Sequence, residues 1–386
     1  MELENLAEPH LITKPRTLEG MVDLLLQEAI VAVDTESNSL FAYNEQVCLI
    51  QFSVPEADYL VDPLAIKDLS ALAPIFASPQ IEKVFHAAEY DLICLKRDFG
   101  FNFENLFDTM VAASILGLEQ VGLGSLLESE FGVSLDKRYQ RANWGQRPLP
   151  QHLLDYARLD THFLITLRHR LKAQLESQER WPLAQEDFHR LASIGDLTPE
   201  NALKLTVKNA SEGCWLISGA YDLPGQQAAI LQELCRYRDQ VARHLNRPLF
   251  KVISDATLLA IASAVPKSLD ELKRLPGMSH GQIQRHGPAL LQAVQQGLQA
   301  PPIHPPRNRR PDDQYLHRLE NLRQWRKETA RNLGVKSDVI LPRDLLTAIA
   351  EKNPRRLPEL ALILAEVPWR LEHFGLEILQ VIDGQA

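Results

Sequence analysis

Residues 31–40 read VAVDTESNSL. The apolar run Val31-Ala32-Val33 delivers two carboxylates, Asp34 and Glu36, one residue apart. Alternation along a strand points residues i and i+2 to the same side. The pair is therefore expected side by side at a strand end, where like charges repel. Either water at an edge separates them or a cation sits between them.

At 386 residues the chain is long enough for two or three domains. Its 45% apolar content is that of a globular protein rather than a disordered one. The N-terminus, MELENLAEPH, is acidic and lacks the apolar core of a secretory signal. No uninterrupted apolar run is long enough to span a bilayer. Cys48, Cys94, Cys214 and Cys235 are scattered, with no C-x-x-C pair. They are expected as small core residues in a reducing compartment, neither disulfide framework nor zinc site, so a cytoplasmic location is expected. The net charge of −9 divides unevenly, −13 over residues 1–210 and +4 over residues 211–386. The front of the chain suits a cation, and the back tolerates a polyanion.

The first half reads as α/β. Strands are expected at His10–Thr13, Ile30–Asp34, Val47–Phe52, Tyr59–Val61 and Val84–His86, with a hairpin through Val54-Pro55-Glu56. Helices are expected at Thr17–Gln27, Asp68–Ala77, Ala87–Arg97, Thr109–Leu116, Leu123–Glu130 and Pro150–Glu176. Hairpin strands followed by strands alternating with helices imply a mixed sheet flanked by helices.

From about residue 200 helical periodicity takes over, and the chain repeats itself. Leu231, Arg238, Ala242, Arg243, Leu258, Ile261, Leu269 and Gly287 recur, at an offset of 88, as Leu319, Arg326, Ala330, Arg331, Leu346, Ile349, Leu357 and Gly375. Two copies of a small helical domain follow from this. Between them QAPPIHPPRNRRPDD, residues 299–313, is a proline-rich linker. The expected organisation is a domain over 1–205, a helical domain over 206–298, the linker, and a second helical domain over 314–386.

Three further stretches bear on Asp34 and Glu36. KVFHAAEYDLICL (83–95) runs a strand into a helix that carries Asp91. LLDYARLDTHFL (153–164) is a helix whose Tyr156 and Asp160, four apart, share a face. FDTMVAA (107–113) places Asp108 before a helix, where it reads as an N-cap. A strand D-x-E, a strand–helix Asp and a late Tyr-x-x-x-Asp, in that order, resemble the DEDD exonuclease superfamily in its tyrosine-bearing branch, and within it the ribonuclease D family. The histidine branch would need His at position 155, which is Asp155. QRANWGQRPLPQHLLDYARLDTHFL (140–164) resembles the same family, and the repeated modules resemble HRDC domains, with Tyr237-Arg238 and Trp325-Arg326 in their aromatic-Arg position.

The resemblance implies an α/β, ribonuclease H-like mixed-sheet exonuclease domain followed by two all-α HRDC-like domains. It implies that Asp34, Glu36, Asp91 and Asp160 hold two divalent cations, Mg²⁺ or Mn²⁺, with Tyr156 orienting the nucleophile. Such ions, about 3.5–4 Å apart, address both ends of a phosphodiester displacement, and hard oxygen ligands select them over zinc. The activity implied is 3′–5′ exoribonuclease, with tRNA precursors and other small structured RNAs as partners and a monomeric chain. The same chemistry on DNA, or a catalytically silent RNA-binding protein, are the alternatives. Basic residues interleaved with aromatics suit a single strand, so Lys137, Arg138, Arg141, Trp144 and Arg147 are candidate substrate contacts, with Gln51, Phe52 and His86 beside the acids. In the helical tail, Arg236, Arg243, Arg247, Lys251, Lys273, Arg274 and Arg285 of the first module, and Arg323, Lys327, Arg331, Lys336, Arg355 and Arg356 of the second, are candidates for RNA backbone contacts.

Overall fold

Val31, Ala32 and Val33 have apolar side chains on both faces of the backbone, so their strand is stable only with both faces covered. All three are fully buried. The computed structural model describes residues 6–193, 213–304 and 311–384. It places this run in a six-stranded mixed sheet of β1 (His10–Ile12), β2 (Ile30–Ser37), β3 (Val47–Val54), β4 (Ala57–Val61), β5 (Glu82–Phe85) and β6 (Leu106–Asp108), ordered β1-β4-β3-β2-β5-β6. β2 pairs antiparallel with β3 and parallel with β5. β3 and β4 join through the expected Pro55-Glu56 turn. β2 runs three residues beyond the expected Asp34, because β3 offers it partners as far as Ser37↔Val47. Asp34 and Glu36 therefore lie inside the strand and not at its end.

Helices α1 (Pro15–Leu25), α2 (Ala73–Ala77), α3 (Glu89–Phe99), α4 (Thr109–Ile115), α5 (Leu123–Phe131), α6 (Gln151–His162), α7 (Leu164–Ser177) and α8 (Trp181–Ser193) flank this sheet. The single helix expected over Pro150–Glu176 is two, interrupted at Phe163, whose buried ring lies 5.4 Å from that of Phe131. Asp108 is the N-cap expected of it, accepting from the Met110 and Val111 N–H groups. It also ends the short strand β6, which carries too few residues to show a period, and it accepts from Ala87 and Ala88 on the turn into α3.

The repeat is visible helix by helix. The first copy comprises α9 (Gly225–Leu245), α10 (Leu249–Val252), α11 (Asp255–Ala264), α12 (Leu269–Lys273) and α13 (His280–Gln299). The second comprises α14 (Asp313–Leu333), α15 (Ser337–Ile340), α16 (Arg343–Lys352), α17 (Leu357–Ile363) and α18 (Pro368–Ile382), each beginning 88 positions after its counterpart. The fastenings repeat too. Arg238 Nη1 donates to the Ile253 carbonyl at 3.1 Å, and Arg326 Nη1 to that of Leu341 at 2.9 Å. The arginine of the aromatic-Arg position is thus an internal staple. Residues 305–310 of the expected linker and the expected boundary at 205/206 lie outside the described residues.

The chain divides into two compact units. One is drawn from Met1–Ser37, Val47–Asp196 and Pro311–Ala386, the other from Asn38–Gln46 and Leu197–Arg310. In the first, the second repeat completes the core around the exonuclease helices: Val339 is buried among Leu171, Leu183 and Phe188, with Trp369 packed beside them. In the second unit Cys214 and Cys235 form a disulfide with Cα atoms 6.1 Å apart. This corrects the expectation of four free thiols. Packing brings buried Cys214 against Cys235 of α9, and a separation of 21 residues left no local spacing to read. Cys48 and Cys94 are small buried core residues, as expected. No described helix is long and apolar enough to cross a membrane.

Candidate active site

Carboxylate oxygens of Asp34, Glu36 and Asp160 lie within 4.8 Å of one another. β2 supplies the first two, and α6, which packs across β2, β3 and β4, supplies the third. Tyr156, one turn before Asp160, lines the same cavity of about 430 Å³. Asp91, in the first turn of α3, stands outside this trio. Thr35, between the two acids on β2, donates its hydroxyl to Asp91 and ties it to the strand.

These acids share one electrostatic state. Burial, then the Asp160 charge, holds the Asp34 carboxyl well above its ordinary range. Glu36 is raised by burial and then by Asp34, Asp160 and Asp91, and Asp91 by burial and then by Asp34. Asp160 is pushed up to about 8 by burial and Asp91, against a hydrogen bond from Tyr156. Four oxygen-donor side chains that raise one another in this way form a site completed by positive charge. The donor set contains no thiolate or imidazole, which fits a hard divalent cation. The phenol of Tyr156 is raised far above its ordinary value by burial and then by Asp160, Glu36 and Asp34, so it keeps its proton at neutral pH.

The expected substrate contacts divide. His86 lines the cavity. Arg141 is exposed, and exposed Arg138 is paired with Asp136 at 2.5 Å. The side chain of Lys137 lies outside the described residues. Phe52 is a core residue, 5.9 Å from the ring of Phe76, and Trp144 is buried under the loop, 6.3 Å from Tyr156. Neither offers a face to a base. Gln51 is likewise fully buried, with its Nε2 3.3 Å from Asp34 Oδ2. Arg147 is corrected from phosphate contact to structural clamp. It holds Asp62 through two bonds of 2.7 Å and donates to the carbonyls of Cys48, Trp144 and Gln146. Several of the tail's basic candidates are also paired, as in Arg236–Glu233, Arg243–Asp239, Lys273–Asp270 and Arg355–Asp383.

Sequence reasoning missed Thr35, Gln140 and the Gly122-Leu123-Gly124-Ser125 turn at the start of α5, all of which line the cavity. Thr35 carried a signal in its place between the two acids. The turn carried none, because residues 122–125 approach the acids only in the fold.

A family described as 3′–5′ exonuclease matches residues 9–176, and the HRDC domain family matches residues 227–294 and 316–382. Fold and site together define a DEDD-type 3′–5′ exonuclease with two HRDC modules, a class that is metal-dependent. A ribonuclease D of Gluconacetobacter diazotrophicus is 31% identical over 290 residues, covering 74% of this chain and 71% of that one. The chain belongs to the ribonuclease D family. Protein RRP6-like 2 of Arabidopsis thaliana is 33% identical over 297 residues. The chain spans about a third of the length of the RRP6 relatives of Arabidopsis and Saccharomyces cerevisiae that it matches. The crystal structure of Escherichia coli RNase D, described as an exoribonuclease involved in structured RNA processing, superposes with a TM-score of 0.69 at 26% identity, covering 98% of this chain and 99% of that one.

Proposed function

We propose that this chain is a 3′–5′ exoribonuclease that hydrolyses RNA from its 3′ end and releases nucleoside 5′-monophosphates. The observation that carries the reading is the convergence of Asp34, Glu36 and Asp160 within 4.8 Å, with Tyr156 in the same cavity. Asp34, Glu36, Asp91 and Asp160 would hold two divalent ions, Mg²⁺ or Mn²⁺. When bound, such ions activate water and neutralise charge on the leaving oxygen. Tyr156 keeps its proton and, hydrogen-bonded beside Asp160, orients the attacking water. Gln51 steadies Asp34 from below, and exposed Arg141 takes a backbone phosphate. The domains run over 1–205, 206–298 and 314–386, joined by the 299–313 linker. The description of Escherichia coli RNase D supports structured RNAs, tRNA precursors among them, as substrates.

Digestion of a 5′-end-labelled RNA tests this reading. A ladder shortening from the 3′ end, nucleoside 5′-monophosphate as product, and loss of both in EDTA are expected. Nucleoside 3′-monophosphates, or full activity in EDTA, would overturn it. Tyr156→Phe is expected to slow turnover by about 10²-fold through misplacement of the nucleophile, with Mn²⁺ binding by calorimetry unchanged.

A further inference from the structure

His86 follows β5 directly, and its ring belongs to the cavity that holds Asp34, Glu36 and Asp160. Its Nδ1 lies 2.9 Å from the hydroxyl of Thr109, the first residue of α4. That hydroxyl is buried and also donates to the Phe85 carbonyl at 3.0 Å. A hydroxyl has one proton to give. With that proton on the Phe85 carbonyl, Thr109 can only accept from histidine, so Nδ1 carries the hydrogen. In the neutral ring Nε2 then presents a lone pair. Burial favours the neutral ring, lowering its pKa against the opposing pull of Asp108. Among the described residues Nε2 has no partner.

A lone pair at this place selects its ligand. Phosphodiester oxygens and carboxylates carry no proton for it to accept. Amino groups differ from base to base, so they cannot serve a site that removes nucleotides irrespective of base. Ribose hydroxyls are present on every nucleotide, and a 3′-terminal nucleotide carries two. We propose that His86 Nε2 accepts a hydrogen bond from a ribose hydroxyl of the 3′-terminal nucleotide, making His86 a residue that reads the sugar end of the substrate. The inference rests on the exoribonuclease reading and names the group by which that site recognises its substrate.

The test uses three RNA oligomers of one sequence ending in an ordinary, a 2′-deoxy or a 3′-deoxy nucleotide. Binding is measured by fluorescence anisotropy in EDTA, and cleavage by single-turnover kinetics with Mn²⁺. The wild-type chain is expected to disfavour one of the deoxy ends by about tenfold, the worth of one hydrogen bond. Which end is disfavoured tells the 2′-hydroxyl from the 3′-hydroxyl. His86→Phe should bind and cleave all three ends alike, and His86→Gln, which retains an acceptor, should restore the preference. Each preference is a ratio within one protein, so a partly folded variant still reports it. Persistence of the wild-type preference in His86→Phe, or absence of any preference in the wild type, overturns the inference. So does a loss of Mn²⁺ affinity in His86→Phe, which would make the histidine a cation ligand. Failure of the wild type to degrade any of the three would instead defeat the exoribonuclease reading.

Discussion

The two HRDC repeats hold the same helices by the same staples, yet only the second shares a compact unit with the exonuclease sheet. One pair of positions carries part of the difference. Gln282 at the start of α13 corresponds to Arg370 at the start of α18. Gln282 Nε2 donates to the Val252 carbonyl at 3.0 Å, and Arg370 Nε to the equivalent Ile340 carbonyl at 3.2 Å. Glutamine stops there, its Oε1 without a partner among the described residues. Arginine has further donors, which reach Glu186 and Asp187 of α8 at 2.9 Å each and the Val339 carbonyl at 2.9 Å. The preceding residue changes in step. Gly281 corresponds to Trp369, whose N–H donates to Glu186 and whose ring joins the core around α8. The same helical frame therefore carries different contacts in its two copies, and Arg370 and Trp369 at one helix start supply part of what joins the second to the nuclease.

The largest expected effect follows from giving the second repeat the first repeat's residue. Arg370 is completely buried and Glu186 nearly so. Arg370→Gln keeps a donor for Ile340 but strands the Glu186 carboxylate, which costs about 3–5 kcal/mol for a buried pair that loses one partner. Gln282→Ala removes one neutral hydrogen bond, worth about 1 kcal/mol. Urea unfolding followed by loss of nuclease activity and by far-UV circular dichroism checks both. Arg370→Gln should take nuclease activity down with its transition, whereas Gln282→Ala should leave the activity midpoint in place. Equal shifts would break the contrast between scaffold and module.

The pH dependence sharpens the same contrast. Burial raises the Glu186 carboxyl above its ordinary 4.5, and Arg370 opposes the rise. Removing Arg370 raises it further. A carboxyl with a raised folded-state pKa binds more protons folded than unfolded, so stability falls as pH climbs from the unfolded value through the folded one. The deficit of Arg370→Gln should thus be smaller at pH 5 than at pH 8. The deficit of Gln282→Ala should change less, because the bond it loses runs to a backbone carbonyl, which does not titrate. Melting temperatures of both variants against wild type at the two pH values decide this. Equal deficits of Arg370→Gln at the two pH values would show the carboxylate to be well solvated.

Local pattern carried part of this molecule, and long-range pairing carried the rest. Asp34 and Glu36 were legible because strand alternation places them together in any fold, and Tyr156 and Asp160 because helical spacing does. The offset of 88 made every helix start in the second repeat readable from the first. Asp91 was legible only by resemblance to a family, since what ties it to the site is the hydroxyl of Thr35, 56 residues away in the chain. Arg147 looked like a phosphate contact because Asp62, which neutralises it, lies 85 residues away. Gln51 and Phe52 were placed beside the substrate because a buried strand face and an exposed one read alike in sequence, and Trp144 because its packing against Tyr156 forms only in the fold. The difference between Gln282 and Arg370 was printed in the repeat, but its meaning depends on Glu186, which belongs to another domain.

The smallest expected effect concerns a position that the repeats share. Gly287 and Gly375 lie inside α13 and α18, each against the leucine that opens the preceding helix. Alanine is the better helix former by up to about 1 kcal/mol. A Cβ at Gly375 would stand 3.1 Å from Leu357 Cδ1 and 3.3 Å from Leu371 Cδ1, the ends of two flexible side chains that need yield only a few tenths of an ångström. A Cβ at Gly287 would stand 2.8 Å from Leu269 Cδ2, and Ile283, on the preceding turn of the same helix, stands 3.4 Å away. Overpacking of that kind costs about 1 kcal/mol or more, which cancels the gain in helix propensity. Gly375→Ala should therefore raise the stability of its unit by about 0.5 kcal/mol, and Gly287→Ala should leave its unit unchanged or slightly weaker, both read from denaturant midpoints. The reverse order would mean that the first repeat is the looser of the two, and that docking on the nuclease tightens the second throughout rather than only at Arg370.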